Sequence, residues 1–289
     1  MRVTLLGTGC PGPLIERFGP CTMVEAGGDR LLFDCGRGVI QRSYQLDPAR
    51  SRIEASDKLF LTHLHSDHTV GIPDLWLTGW LFGRFDNPLR VWGPRGTEKM
   101  MSHLEEAFTV DKKVRWEMRE HFKAKLNEAG VRVEATDVDE GYVYMENGVK
   151  VTPFRVNHFY YSDEPSLGYR IDYRGRSTVI SGDTCICENL IEFSKDVDLL
   201  IHEVCAAPLG HELDDRTSRP YTHHTPPEEA GEVFTRVTPK LAVFTHVIQW
   251  HGVGLEEMLN RTQKVYNGPV IMGEDLMTFE VGDSVELVS

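Results

Sequence analysis

Between Phe60 and Trp76 the chain reads FLTHLHSDHTVGIPDLW, with three histidines and an aspartate inside the six residues from His63 to His68. Imidazole nitrogen and carboxylate oxygen are the donors that suit Zn²⁺ and similar divalent ions. The spacing H-x-H-x-D-H follows an apolar run that predicts a strand and precedes a run that predicts a helix. His63 and His65, two apart, leave such a strand on one face and can reach one ion. Asp67 and His68 lie across the turn and can reach a second. The other reading is a solvated polar loop, or a helix cap formed by Ser66 or Asp67.

The elements that must aim these side chains are short. Period-two patterning predicts strands over 2–7, 22–26, 30–35, 58–63, 89–93, 131–138, 149–156, 167–173, 177–183, 198–204, 240–246, 269–273 and 277–281. Helical patterning predicts helices near 37–46, 69–83, 94–108, 186–194, 227–238 and 255–265. Several predicted strands end in a polar, metal-capable residue: His63, Asp183, His202 with Glu203, and His246. A rigid sheet aims side chains from distant parts of a chain at one point. Strand-rich halves with interspersed helices predict an α/β protein of two face-to-face sheets with helices outside. Residues 1–289 read as a single domain, without repeats or an evident linker.

Bulk composition narrows the setting. The hydrophobic fraction of 40% and charged fraction of 26% are those of a globular protein. No stretch approaches the ~20 apolar residues of a spanning helix, and the N-terminus lacks a secretory pattern. The expectation is a cytoplasmic protein without a membrane partner. The six cysteines, Cys10, Cys21, Cys35, Cys185, Cys187 and Cys205, show no paired framework and are expected as free thiols. A metal role for Cys185 and Cys187 is disfavoured. With 44 acids against 31 bases, the net charge of −13 opposes a polyanionic partner.

The H-x-H-x-D-H motif resembles the signature of the metallo-β-lactamase superfamily, and the resemblance extends over nearly the whole chain. It implies a four-layer αββα sandwich with a two-metal site at the sheet edges. It supplies three later ligands: His158 in VNHFYYSDEPSLGYRI, Asp183 in VISGDT and His246 in AVFTHV, with His251 as a nearby rival. By the same resemblance His63, His65 and His158 hold one metal, Asp67, His68 and His246 hold the other, and Asp183 bridges them. Zn²⁺ is the first expectation for the two ions, with Mn²⁺ or Fe²⁺ as alternatives. Asp34 in LFDCGRG matches a residue that supports the metal loop without ligating. Two such ions sharing a hydroxide would attack an electrophilic centre, with Asp67 orienting the nucleophile.

LLIHEVC and THHTPPEEAGEVF resemble motifs of ribonuclease Z and related zinc arylsulfatases and phosphodiesterases. They imply that Glu203 and His224 act as a pair beside the leaving group, with His223 as the ambiguous neighbour. Val204-Cys205 and Thr225-Pro226 depart from the ribonuclease Z pattern. So does the gap of 24 residues between His158 and Asp183, too short for a tRNA-gripping arm. Trp76, Trp80, Phe82, Phe159, Tyr160 and Tyr161 could line an apolar pocket, with core packing the preferred reading for Trp76 and Trp80. The expectation is therefore a binuclear hydrolase of small sulfate, phosphate or carboxylic esters, a small-molecule partner with nucleic acid disfavoured, and a homodimer by resemblance. The alternatives are a ribonuclease Z-type tRNA 3′-end endonuclease and, from another class, a metal-binding sensor or di-iron redox protein.

Overall fold

The structure is a computed structural model that describes residues 1–46, 56–82, 87–122, 124, 126–159, 162–209 and 223–289. In chain order its strands are β1 Arg2–Gly7, β2 Cys21–Ala26, β3 Asp29–Phe33, β4 Lys58–Phe60, β5 Leu89–Gly93, β6 Val133–Asp137, β7 Tyr144–Glu146 and β8 Val149–Val156. They continue as β9 Ser166–Tyr173, β10 Arg176–Ile180, β11 Leu199–Ala206, β12 Leu241–Gln249, β13 Val270–Met272, β14 Thr278–Val281 and β15 Val285–Leu287. The helices are α1 Val39–Leu46, α2 Ser66–Thr69, α3 Ile72–Phe82, α4 Thr97–Ala107, α5 Thr109–Met118, α6 Glu128–Val131, α7 Glu188–Phe193, α8 Pro227–Val237 and α9 Leu255–Gln263.

One sheet has the order β15-β14-β1-β2-β3-β4-β5-β6 and the other β13-β12-β11-β10-β9-β8-β7. Period-two alternation explains how they stack. Leu31 and Phe33 face the other sheet, while Leu32 between them packs under α1 and α3 with Val39, Ile72 and Trp76. Ile201 and Val243 face the first sheet, while Leu200, Ala242 and Phe244 meet Leu190, Val233, Phe234 and Met258 of α7, α8 and α9. The result is the expected αββα sandwich. Its central layer includes Phe60 stacked between Phe33 at 5.2 Å and Trp92 at 4.8 Å. Burying such a ring contributes about 1.5–3 kcal/mol, and each aromatic pair adds roughly 0.5–1.5.

The sequence misses elements that have little apolar pattern to show. No residue of α5 is buried, and β7 and β15 have three residues each. A strand expected over 131–138 starts later, because Asn127 Oδ1 accepts from Gly130 N at 2.9 Å and caps the single turn α6. Trp76 and Trp80 are core, not pocket: both are fully buried and donate their indole N–H to Val131 O at 3.0 Å and Asn127 O at 3.1 Å. Phe82 points outward at 63% exposure. All six cysteines are free. Among the described residues no helix is long and apolar enough to cross a membrane.

Candidate metal centre

The chain leaves β3 and β4 side by side. Asp34, just past β3, adopts the left-handed φ of 62° and turns its carboxylate towards the loop after β4. It accepts from Thr62 N at 2.8 Å, from Thr62 Oγ1 at 2.9 Å and from His68 Nδ1 at 2.8 Å. His63 was expected at a strand end. It lies three residues beyond β4, in a loop held to the second sheet by Tyr169 Oη–H donating to Leu61 O (2.7 Å) and Leu167 N–H donating to Thr62 O (2.8 Å). The one-turn helix α2 then directs Asp67 and His68 inward, both buried. Gly36 is required beneath it, since a Cβ there would come within 2.6 Å of Asp67 O.

The other side chains arrive from the second sheet. Asp183 follows Gly182, whose φ of 63° reverses the chain after β10. His246 sits inside β12 as an extra residue: Thr245 pairs with Glu203 and Val247 with Val204, leaving His246 unmatched with φ 44°. Such a bulge re-aims one side chain without disturbing the rest of a strand. His158 follows β8 and exchanges hydrogen bonds with His223: its Nδ1 lies 2.9 Å from His223 O, and His223 Nδ1 lies 3.0 Å from His158 O.

These residues converge. His65 Nδ1 lies 3.0 Å from His63 Nε2 and 3.2 Å from His158 Nε2. His246 Nε2 is 3.2 Å from Asp67 Oδ2, and His68 Nε2 is 3.5 Å from it. Asp183 Oδ2 faces both sets, 3.3 Å from His246, 3.4 Å from His68, 3.8 Å from His63 and 3.9 Å from His158. Burial would raise the Asp183 carboxyl, but the surrounding His246 and His68 hold it well below the usual carboxylate range. Burial, reinforced by His68, keeps His63 far below its ordinary value, and burial brings His158 to about 4.

The donor set fits divalent metal. A carboxylate only accepts, so His68 Nδ1 carries the hydrogen given to Asp34, and Nε2 is left facing the Asp67 and Asp183 carboxylates. His68 Nε2 and His246 Nδ1 are buried without a hydrogen-bond partner. Imidazole nitrogens and carboxylate oxygens from both sheets lie within 4.8 Å of one another, an arrangement that a cation among them would stabilise. Ring orientation by an outer carboxylate is what metal-binding histidines require. Asp34→Asn should therefore weaken divalent-metal affinity about 10- to 100-fold, read by competition with a chromogenic chelator. Unchanged affinity would remove Asp34 from the site.

A second constellation adjoins the first. In β11, alternation sends His202 to the helix side against Phe234 and Glu203 to the cluster side. His202, expected beside Glu203, is thus outside the site, kept neutral by burial, which lowers it to about 4. Glu203 accepts from Thr184 N at 2.8 Å and lies 2.9 and 3.0 Å from His224 Nδ1 through its two oxygens. Burial raises the Glu203 carboxyl. Burial would lower His224, but the Glu203 charge and hydrogen bond outweigh it and lift the imidazole to about 9. A ring nitrogen of His224 lies within 4.8 Å of ligand atoms of Asp183 and His246.

The structure leaves His251 exposed in a turn after β12 and places Cys185 and Cys187 outside the histidine–aspartate groups. Phe159 lies against the cluster, its ring centroid 4.9 Å from His65. Tyr160 and Tyr161 lie outside the described residues. Sequence reading missed Thr62 and Tyr169. The signal for Thr62 was a polar residue closing the apolar run FLTH; Tyr169 stood in the noted Gly-Tyr-Arg strand without a role.

Residues 29–247 match a family model described as the Beta-lactamase superfamily domain. The chain is 32% identical over 291 residues to a protein named Ribonuclease Z from Mycolicibacterium gilvum, covering 99% of this chain and 98% of that one. It is 33% identical over 285 residues to Ribonuclease Z from Mycolicibacterium paratuberculosis, covering 97% and 98%. Among solved structures, the metallo-beta-lactamase fold protein YhfI from Bacillus subtilis superposes with TM-score 0.73 at 20% identity, covering 96% of this chain and 99% of that one. Human tRNase Z, short form, gives 0.68 at 22%, covering 98% and 100%. At those identities the two structures speak for the fold alone. The relatives' name overturns the expected small-molecule ester partner and the disfavouring of nucleic acid. That expectation rested on a net charge, which sums over the molecule and does not describe the local surface a polyanion meets. It rested also on one short gap, which bears on one place for an arm and not on the chemistry at the metals.

Proposed function

Because the chain belongs to the beta-lactamase superfamily and is a metal-dependent hydrolase acting on ester bonds, we propose that its substrate bond is an RNA phosphodiester, cut in the manner of a ribonuclease Z. The observation that carries this reading is the full-length likeness to proteins of that name. The Glu203–His224 pair beside the histidine–aspartate cluster supports it.

In this reading His63, His65 and His158 would hold one divalent cation and Asp67, His68 and His246 a second, with Asp183 available to both. Zn²⁺ fits these donors first. Bound there, the cations would supply Lewis acidity. The chain's own groups do the rest. Asp67 accepts a hydrogen bond from the attacking water and sets its direction. Glu203 fixes the His224 ring through Nδ1, so Nε2 is the atom turned to the substrate. His224 gives its proton to the departing ribose oxygen, which could not leave as an alkoxide near neutral pH. Val204, one departure from the family pattern, packs with the outer core and takes no part.

The test is cleavage of a precursor tRNA carrying a 3′ trailer, with the product ends mapped. Metal-loaded protein should cut at one position near the end of the acceptor stem. A chelator should abolish the cut and added Zn²⁺ restore it. Intact precursor after incubation with the fully metal-loaded protein would end this reading.

A further inference from the structure

A cavity of about 800 Å³ opens beside the cluster, lined by His158 and Phe159 together with Arg155, Asn157, Ser162 and Glu164. We propose that it is a nucleobase subsite: the base of a nucleotide flanking the scissile phosphate stacks on Phe159. The proposal rests on the RNA reading given above.

Two features point to a base, not a phosphate. First, Phe159 is fixed by its neighbour, because His158 directly precedes it and is itself held by His223. Its ring meets His65 at 88° and His63 at 67°, and it is tilted 50° from His158. No ring lies parallel to it among the described residues, although it is only partly buried. Second, the cations at this rim are already neutralised. Arg155 is paired with Asp139, and Arg95 with Glu164 at 3.1 Å. With Asp163 also on the wall, the cavity offers a phosphate little net attraction. It does offer hydroxyl, amide and carboxylate groups to the edge of a base. Base–aromatic stacking gives affinity that does not depend on phosphate neutralisation.

The contact can be measured with two kinds of change together. Phe159→Ala, Phe159→Leu and Phe159→Trp are assayed on a precursor tRNA. They are also assayed on two versions of it with an abasic ribose on either side of the cut. Stacking on Phe159 predicts that Phe159→Ala and Phe159→Leu lower kcat/KM on the natural RNA about tenfold or more, chiefly through KM. Phe159→Trp should retain activity. On one of the abasic RNAs wild type should fall by a similar factor, and Phe159→Ala should add little. Phe159→Leu preserves apolar volume against the histidines, so its metal content should match wild type. Equal losses on all three RNAs, or no loss on any, would overturn the subsite while leaving the RNA reading intact. If wild type loaded with metal cuts none of the RNAs, the RNA reading fails and the subsite with it.

Discussion

Asp183→Ala should leave the purified protein depleted of metal and lower RNA cleavage by more than about 10³-fold, beyond the ~10- to 100-fold expected for losing an orienting partner. Asp183 Oδ2 faces His246 and His68 on one side and His63 and His158 on the other. Among the described residues no other carboxylate spans that gap: Asp67 lies against His246 and His68. Without Asp183, mutually close imidazoles lose the one carboxylate that faces both sets. Elemental analysis after dialysis, run beside the precursor tRNA assay, reads both effects. Retention of metal and activity together would mean that the centre is elsewhere.

His224→Ala should behave differently. Metal content should hold, because the resemblance assigns His224 no ligand role and its Nδ1 is taken by Glu203. Cleavage should fall by about 10²- to 10⁴-fold, the range for removing a positioned proton donor. Replacing the departing bridging oxygen of the RNA by sulfur makes a leaving group that needs no proton. On that substrate most of the loss should disappear. Glu203→Gln should follow the same pattern less steeply, since the amide still holds the ring but no longer supports its charge. His223→Ala serves as the control: its side chain meets the His158 backbone and should not change the oxygen-to-sulfur ratio. An equal loss on both substrates in His224→Ala would refute the proton-donor role.

Much of the architecture could be read beforehand because the core alternates strictly. Leu31, Leu32 and Phe33 announce a strand with two buried faces, and Leu199 to Ile201 do the same. The cluster from His63 to His68 was legible because its donors are adjacent in sequence. What stayed hidden depends on backbone geometry. The stopping of β4 at Phe60 follows from the long-range bonds of Thr62 to Asp34 and Leu167, which no local pattern records. His202 and Glu203 look equivalent as neighbours, and only the facing of β11 separates the one in the helix layer from the one in the site. His223 and His224 pose the same problem in a loop, resolved by which ring meets Glu203. The helix α5 escaped because propensity alone, without a buried face, leaves little periodicity to detect. The substrate class was misjudged for another reason: charge totals weigh the whole surface, whereas recognition uses a small part of it.

The supernumerary residue in β12 bears on how such a protein can change over generations. Thr245 and Val247 already pair with consecutive residues of β11, so the ladder closes around His246 as if it had been inserted there. Excising that one codon would heal the strand, relieve a left-handed backbone and keep Val243 and Val247 in their present layers. Chemistry could thus be lost, or regained, at a locus that the hydrophobic interior does not police, and inactive descendants would keep their shape.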